Sequence, residues 1–278
     1  GTHTFDVTQR ILNSSGSKTY DGNTNAIASN VTLSNLAGGQ TLNHSGTATL
    51  GSKNVASSTI SNLTGISIAD GTGTASNYTL TGGTHAFTVN KRVVNVSGTR
   101  LYNALSTAVA SDLSTMTNLV GSETLVLSNS GTLANANVGS NKTVTIGSLS
   151  LANGSNGGLA ANYTLTGGTH QLTINEAPIS FTGTRQYNAT TDVEAANITL
   201  TGLQGGEDLT VTGDGSISSG NVGAGKAANS SGLTLGNGVS GTAGTASNYT
   251  FTGGTHTFDV TQRILNSSGS KTYDGNTN

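Results

Sequence analysis

The chain has 278 residues, of which 9% are charged; its net charge is −2, and it has one proline and neither cysteine nor tryptophan. A balance this close to neutral gives no electrostatic basis for binding nucleic acid or an anionic membrane surface, and no apolar run approaches the ~20 residues that span a bilayer. A charged fraction far below the usual ~25% points to an exported chain that folds outside the cell without disulfides, and the regular spacing of Val, Ile, Leu, Tyr and Phe argues against disorder.

In chain order, the first feature is the segment GTHTFDVTQRILNSSGSKTYDGNTN at Gly1–Asn25, which returns unchanged as Gly254–Asn278, an offset of 253. This predicts a window onto a longer array of a repeated cassette, a pattern that suits a spacer or fibre better than a catalyst. Smaller repeats lie within the cassette. Gly-Gly-Thr-His places histidines at His85, His170 and His256, with His3 in a shortened copy, in steps of 82, 85 and 86. The Lys18-Thr19-Tyr20-Asp21 marker recurs around Arg100/Tyr102, Arg185/Tyr187 and Lys271/Tyr273, and Asn77-Tyr78 recurs as Asn162-Tyr163 and Asn248-Tyr249. The expected organisation is the last strand of a preceding repeat at 1–7, repeat domains at 8–90, 91–175 and 176–261, and the first strand of a following repeat at 262–278. Repeats of about 85 residues can each bury a modest core of their own. The two end pieces, lacking a domain of their own, are expected to be disordered or paired with a neighbouring molecule.

Each repeat opens on a segment with period-2 alternation: Leu12/Ser14, Val94/Val96 and Ile179/Phe181 share a parity with the Lys18/Tyr20-type pair that follows. Val31–Leu33, Thr124–Leu127 and Val144–Ile146 read as middle strands, with Gly-Gly, Asn-Gly, Asp-Gly and Ser-Gly as turns. The closing strands put His85, Phe87 and Val89 on one face, as they do His170, Leu172 and Ile174, then His256, Phe258 and Val260. About six to eight short strands per repeat predicts an all-β fold of tandem small antiparallel β-sandwich (Ig-like) domains in a linear array. The alternative, a parallel β-helix, calls for a rung period of roughly 20–30 residues, which the repeat does not show. The joints Val7–Ile11, Val89–Val93 and Ile174–Pro178 run from closing to opening strand with no flexible Gly/Ser linker, which predicts stiffness.

The candidate functional residues are the recurring ones. His85, His170 and His256 occur once per repeat, with His44 extra, whereas zinc needs three or four converging ligands; they read as structural, hydrogen-bonded histidines. The tyrosines, paired as Tyr20 with Tyr78, Tyr102 with Tyr163 and Tyr187 with Tyr249, suit either a platform for sugar or, more commonly, strand ends anchored through buried hydroxyls. Lys18, Arg100 and Arg185 cover a ring with their stems or cap backbone carbonyls. Arginine at two of these positions argues against a Lys–Asn isopeptide bond, which needs an amine. Asp21, Asn103 and Asn188 fit Asx-turns.

Calcium needs several oxygens at one place, and the joints offer only Asp6 or Glu176, while the only acids adjacent to each other in sequence are Glu207-Asp208. No Gly-x-Ser-x-Gly elbow and no recurring carboxylate pair is present, and the Asn153–Gly158 stretch lacks the Lys of a phosphate loop. The expectation is therefore no enzyme, no metal and no cofactor. Asn-x-Ser/Thr sequons at Asn13, Asn30, Asn62, Asn77, Asn95, Asn141, Asn162, Asn197 and Asn248, among others, raise the question of attached sugar.

Lys18-Thr19-Tyr20-Asp21-Gly22-Asn23-Thr24, closing with Ala75-Ser76-Asn77-Tyr78-Thr79-Leu80, resembles the YDG-type repeat domain, a relative of the MBG domains of large bacterial filamentous-haemagglutinin-like adhesins. Gly131–Leu133, Asn137–Gly139 and Asn221–Gly223 resemble the family pattern as well, while the second and third repeats depart from the namesake motif at Tyr102-Asn103-Ala104 and Tyr187-Asn188-Ala189. The resemblance implies secretion to the bacterial cell surface or an extracellular matrix, and a structural or adhesive role in a filament or biofilm. The expected partners are other copies of the repeat and, in the second reading, host or matrix glycans.

Overall fold

The computed structural model describes residues 1–277, apart from the side chains at 57–59 and 61–62. Strands dominate, and the helices among the described residues are three-residue 3-10 turns. No described helix is long and apolar enough to cross a membrane. The chain forms two compact units, one of residues 1–98, 107–133 and 143–172, the other of 99–106, 134–142 and 173–278; the division runs through the second repeat.

In the first unit the opening strand Asn13–Thr19 belongs to a seven-stranded sheet, one place in from its edge. The order is Asn25–Ile27, Leu42–Leu50, Ala56–Asn62, His85–Asn90, Asn13–Thr19 and Val31–Ser34, with Ile66–Asp70 also on Leu42–Leu50. The alternation sorts faces as expected: Leu12, Ser14, Lys18 and Tyr20 are buried, and Ser15, Ser17 and Thr19 are exposed. Leu12, Leu42 and Tyr78 form a core cluster with Leu33, Ile68 and Leu80, all from one repeat. Opposite Phe87 lies Gly16. A Cβ on Gly16 would sit 2.2 Å from the Asn30 carbonyl oxygen and 2.7 Å from the Phe87 ring, so a bare backbone is what lets the ring lie against the strand.

The Gly-Gly-Thr-His motif fastens the closing strand to the opening one. A Cβ on Gly83 would lie 1.9 Å from the Leu12 carbonyl oxygen. The Thr84 N–H then donates to Asn13 Oδ1 (2.9 Å), and the His85 ring bridges Ser14 Oγ (2.9 Å) and the Leu80 carbonyl (2.9 Å).

The second unit repeats this plan in the third repeat, in the order Asp192–Glu194, Leu209–Ile217, Gly223–Asn229, His256–Thr261, Ser180–Gln186 and Ile198–Thr201, with Leu233–Asn237 on Leu209–Ile217. Its core is Phe181, Val193, Ile217, Leu233, Phe258 and Val260. Phe181 takes the place of Ser14 and stacks on His256, with ring centroids 4.5 Å apart. The Thr255 N–H donates to Ser180 Oγ (2.9 Å), the counterpart of the Asn13 contact.

The fold is all-β with repeated small domains, as expected, but it is not antiparallel throughout. Opening and closing strands pair in parallel, Ser14↔His85 through Thr19↔Asn90 and Phe181↔His256 through Gln186↔Thr261. Period-2 alternation is the same in both orientations, so it carries no sign of this. Val144–Ile146 forms no strand of its own; Thr145 makes a single bridge to Thr132. The Ala residues that replace Gly22 keep its left-handed backbone, with φ of 61° at Ala104 and 67° at Ala189 against 82° at Gly22. A side chain there is strained, which makes the Tyr-Asn-Ala version of the turn the weaker one.

Candidate functional site: the joints between repeats

The recurring polar residues converge where one repeat meets the next, and each of two such joints lies wholly within one compact unit. In the first unit, Tyr20 ends the opening strand of the first repeat. Its hydroxyl donates to Glu123 Oε1 of the second repeat at 2.7 Å. Tyr163, also from the second repeat, donates to Glu123 Oε2 at 2.6 Å, and its own oxygen accepts from the Val120 N–H at 3.1 Å. The two rings meet edge to face, centroids 5.4 Å apart. Beside them the buried Asn162 accepts from the Val55 N–H (2.9 Å) and donates to Asn54 Oδ1 (3.0 Å).

The second unit holds the same arrangement. Tyr102 and Tyr249 donate to the two oxygens of Glu207 at 2.6 and 2.7 Å, with ring centroids 5.2 Å apart. Asn248 accepts from the Val138 N–H (2.9 Å) and donates to Asn137 Oδ1 (3.0 Å). The profile of the YDG domain matches residues 6–86, 88–170 and 168–257. The chain belongs to the YDG-domain family. No curated protein and no solved structure matches it.

The first and second YDG repeats thus each supply one tyrosine from the end of the opening strand and receive an Asn-Tyr pair and a carboxylate from the repeat that follows. This corrects the pairing of tyrosines within a repeat. Tyr20 meets Tyr163 and Tyr102 meets Tyr249, because the two tyrosines of one repeat sit at opposite ends of its parallel strand pair. Tyr78 instead donates to Gln40 Oε1 at 2.5 Å and accepts from the Ala37 N–H at 3.2 Å, so glutamine stands in the first repeat where glutamate stands in the next two. Tyr187, at the far end of the third repeat, is 38% exposed.

Burial, the hydrogen bond to glutamate and its charge all disfavour tyrosinate. They push Tyr163 and Tyr102 up to about 12 and raise Tyr20 and Tyr249 further; the Val120 and Gln204 N–H donors oppose this at Tyr163 and Tyr249, but burial and the glutamate hydrogen bond outweigh them. Since the folded values exceed the ordinary value near 10, these hydroxyls stabilise the joints fully below pH ~10 and lose that effect as pH rises towards 12. Alkaline titration followed by tyrosinate absorbance and circular dichroism is expected to show four tyrosines ionising late and together with loss of structure. Ionisation of every tyrosine near pH 10 with the fold intact would contradict the joint geometry.

The remaining marker residues hold the turn beneath the first tyrosine. Lys18 Nζ donates to the carbonyls of Asn23 and Asn25, both at 2.8 Å, and pairs with Asp21 at 2.9 Å. Burial works against ionisation of Asp21, but its bonds to Lys18 and the Asn23 N–H prevail and hold its carboxyl below the usual range. Arg185 donates to the carbonyls of Asp192 and Thr190 and to Asn188 Oδ1, and Arg100 to the Leu105 carbonyl. Asp21, Asn103 and Asn188 each accept from the N–H two residues on, the Asx-turn.

His170 and His256 bond the Leu165 and Phe251 carbonyls as His85 bonds Leu80. Among the described residues, no group of three or more His, Asp or Glu is placed to hold a metal. Asp208 accepts from Ser240 Oγ (2.6 Å) and from the Val239 and Ser240 N–H groups, which closes a loop of the third repeat. Asn162 and Asn248 are 0% and 1% exposed, so neither sequon is open to sugar in the folded chain; the side chain of Asn62 lies outside the described residues.

Asn54, Asn137 and the glutamates were the functional positions not singled out as such by the sequence. The signal existed in part: Asn-Val stands at Asn54-Val55, Asn137-Val138 and Asn221-Val222, in step with the other markers.

Proposed function

We propose that the chain is a structural stalk or filament segment of a secreted bacterial surface adhesin or matrix fibre, with no catalytic role. The observation that carries this reading is the joint. Successive repeats share a carboxylate gripped by two tyrosines and an asparagine clamp in place of a flexible linker. A spacer needs such links, since reach is lost wherever an array bends freely. Low charge adds to this by weakening repulsion between neighbouring arrays.

The test is imaging and small-angle scattering of the chain and of versions with added cassettes. A maximum dimension that grows in proportion to repeat number supports the stalk; a compact particle that grows only as the cube root of mass overturns it.

The alternative, a glycan-binding adhesive module, calls for exposed aromatic residues at equivalent places in each repeat. Tyr20, Tyr78, Tyr102, Tyr163 and Tyr249 are instead buried, at 0–4% exposure. A glycan array without hits favours the stalk, whereas saturable binding that scales with repeat number favours the adhesive module.

A further inference from the structure

The two joints each place tyrosines of different repeats on one proton acceptor. The Tyr20 and Tyr163 hydroxyls donate to the two oxygens of Glu123 at 2.7 and 2.6 Å, and those of Tyr102 and Tyr249 to the two oxygens of Glu207 at 2.6 and 2.7 Å. The shared carboxylate thus gathers the hydroxyl ends of both rings, whose centroids are 5.4 and 5.2 Å apart with planes at 77° and 78°. The carbons flanking the hydroxyl are where an oxidised phenol carries unpaired spin and forms new bonds. All four tyrosines are 0–4% exposed, so a ring from another molecule has no access to them.

We propose that the joints are sites of oxidative cross-linking, in which Tyr20 couples to Tyr163 and Tyr102 to Tyr249 as dityrosine, with Glu123 and Glu207 taking the phenolic protons. The phenols stay protonated at neutral pH, since burial and the glutamate charge oppose ionisation. A phenol that keeps its proton yields an electron readily only where a base within hydrogen-bond reach takes that proton at the same moment. Glutamate is such a base; the Gln40 amide that accepts from Tyr78 is not.

A one-electron oxidant, such as the haem of a peroxidase supplied with hydrogen peroxide, removes an electron from one tyrosine as its proton moves to the glutamate. Burial excludes other rings but not the electron, which leaves by tunnelling. The glutamate releases the proton to solvent, to which Glu123 keeps 8% exposure, and then serves the second tyrosine in the same way. The two phenoxyl radicals form a carbon–carbon bond beside their oxygen-bearing carbons, and the hydrogen on each bonding carbon shifts as a proton to its own oxygen. Two electrons and two protons are lost in all; one peroxide takes up both and becomes two waters. A link held by hydrogen bonds thereby becomes covalent.

The test uses the full chain carrying Tyr187→Phe and Tyr273→Phe, which removes the two exposed tyrosines and their coupling between molecules. The dilute folded chain is oxidised with photogenerated tris(bipyridine)ruthenium(III), with persulfate as the final electron acceptor, and digested with trypsin. Each tyrosine falls on a tryptic peptide of its own, so mass spectrometry identifies every linked pair. The expected product is a monomer lighter by two hydrogens per joint, with peptide 19–53 linked to 143–185 and 101–142 linked to 227–263. Glu123→Gln keeps an accepting oxygen but no base, and is expected to lose the first link while the second persists in the same molecule. In urea the same treatment is expected to give no preferred pair. Linkage of Tyr20 to Tyr78, equal yields from folded and unfolded chains, an undiminished first link in Glu123→Gln, or oxidised tyrosines without linked peptides would each overturn the proposal. None of these outcomes bears on the stalk reading, which is tested by dimensions.

Discussion

Replacing Glu123 by alanine is expected to destabilise the first joint by about 2–6 kcal/mol, because the buried hydroxyls of Tyr20 and Tyr163 are both left without their acceptor and each unsatisfied group costs about 1–3 kcal/mol. Glu123→Gln should cost much less, since an amide oxygen still accepts; Tyr78 donating to Gln40 shows that glutamine is compatible with this site. Glu207→Ala should act on the second joint in the same way. Urea unfolding of the full chain measures these effects. A Glu123→Ala midpoint within ~0.5 kcal/mol of the parent, the range of an ordinary surface change, would show that the tyrosine–glutamate contact contributes nothing to holding the repeats together.

The second large effect is expected in the core of the third repeat. Phe258 is fully buried, lies against the bare backbone of Gly183 and packs with Phe181, Val193 and Ile217. Phe258→Ala leaves a cavity that neighbouring strands cannot fill, at a cost of about 3–5 kcal/mol. Because that cluster draws only on residues of its own repeat, the damage should be local. Hydrogen exchange is expected to show faster exchange across residues 176–261 and unchanged protection in residues 8–90. Equal loss of protection in both stretches would mean that the repeats share one cooperative core.

These two sites also show what a reading of the sequence alone can reach. Face assignment was legible because burial obeys the pleat: Leu12, Ser14, Lys18 and Tyr20 alternate inward, as do His85, Phe87 and Val89. The Asx-turns were legible because they are local. The tyrosine partners were not, since Tyr20 and Tyr163 are far apart in sequence and markers repeating in one order fit pairing within a repeat as well as between repeats. Glu123 escaped notice for a related reason: its counterpart in the first repeat is Gln40, so no carboxylate recurs in every copy. Likewise the glycines of Gly-Gly-Thr-His looked like turn punctuation, yet Gly83 is needed because the backbone at Leu12 comes too close for any side chain.

The parallel pairing of opening and closing strands has a mechanical consequence. In the first and third repeats the chain enters at one end of this pair and leaves at the other, so tension on the termini of a repeat pulls the two strands along their length in opposite directions. The rungs from Ser14↔His85 to Thr19↔Asn90, and from Phe181↔His256 to Gln186↔Thr261, are then loaded in shear and must yield together, whereas an antiparallel terminal pair would be peeled apart one bond at a time. Each such repeat therefore acts as a strong clasp under load despite its small core.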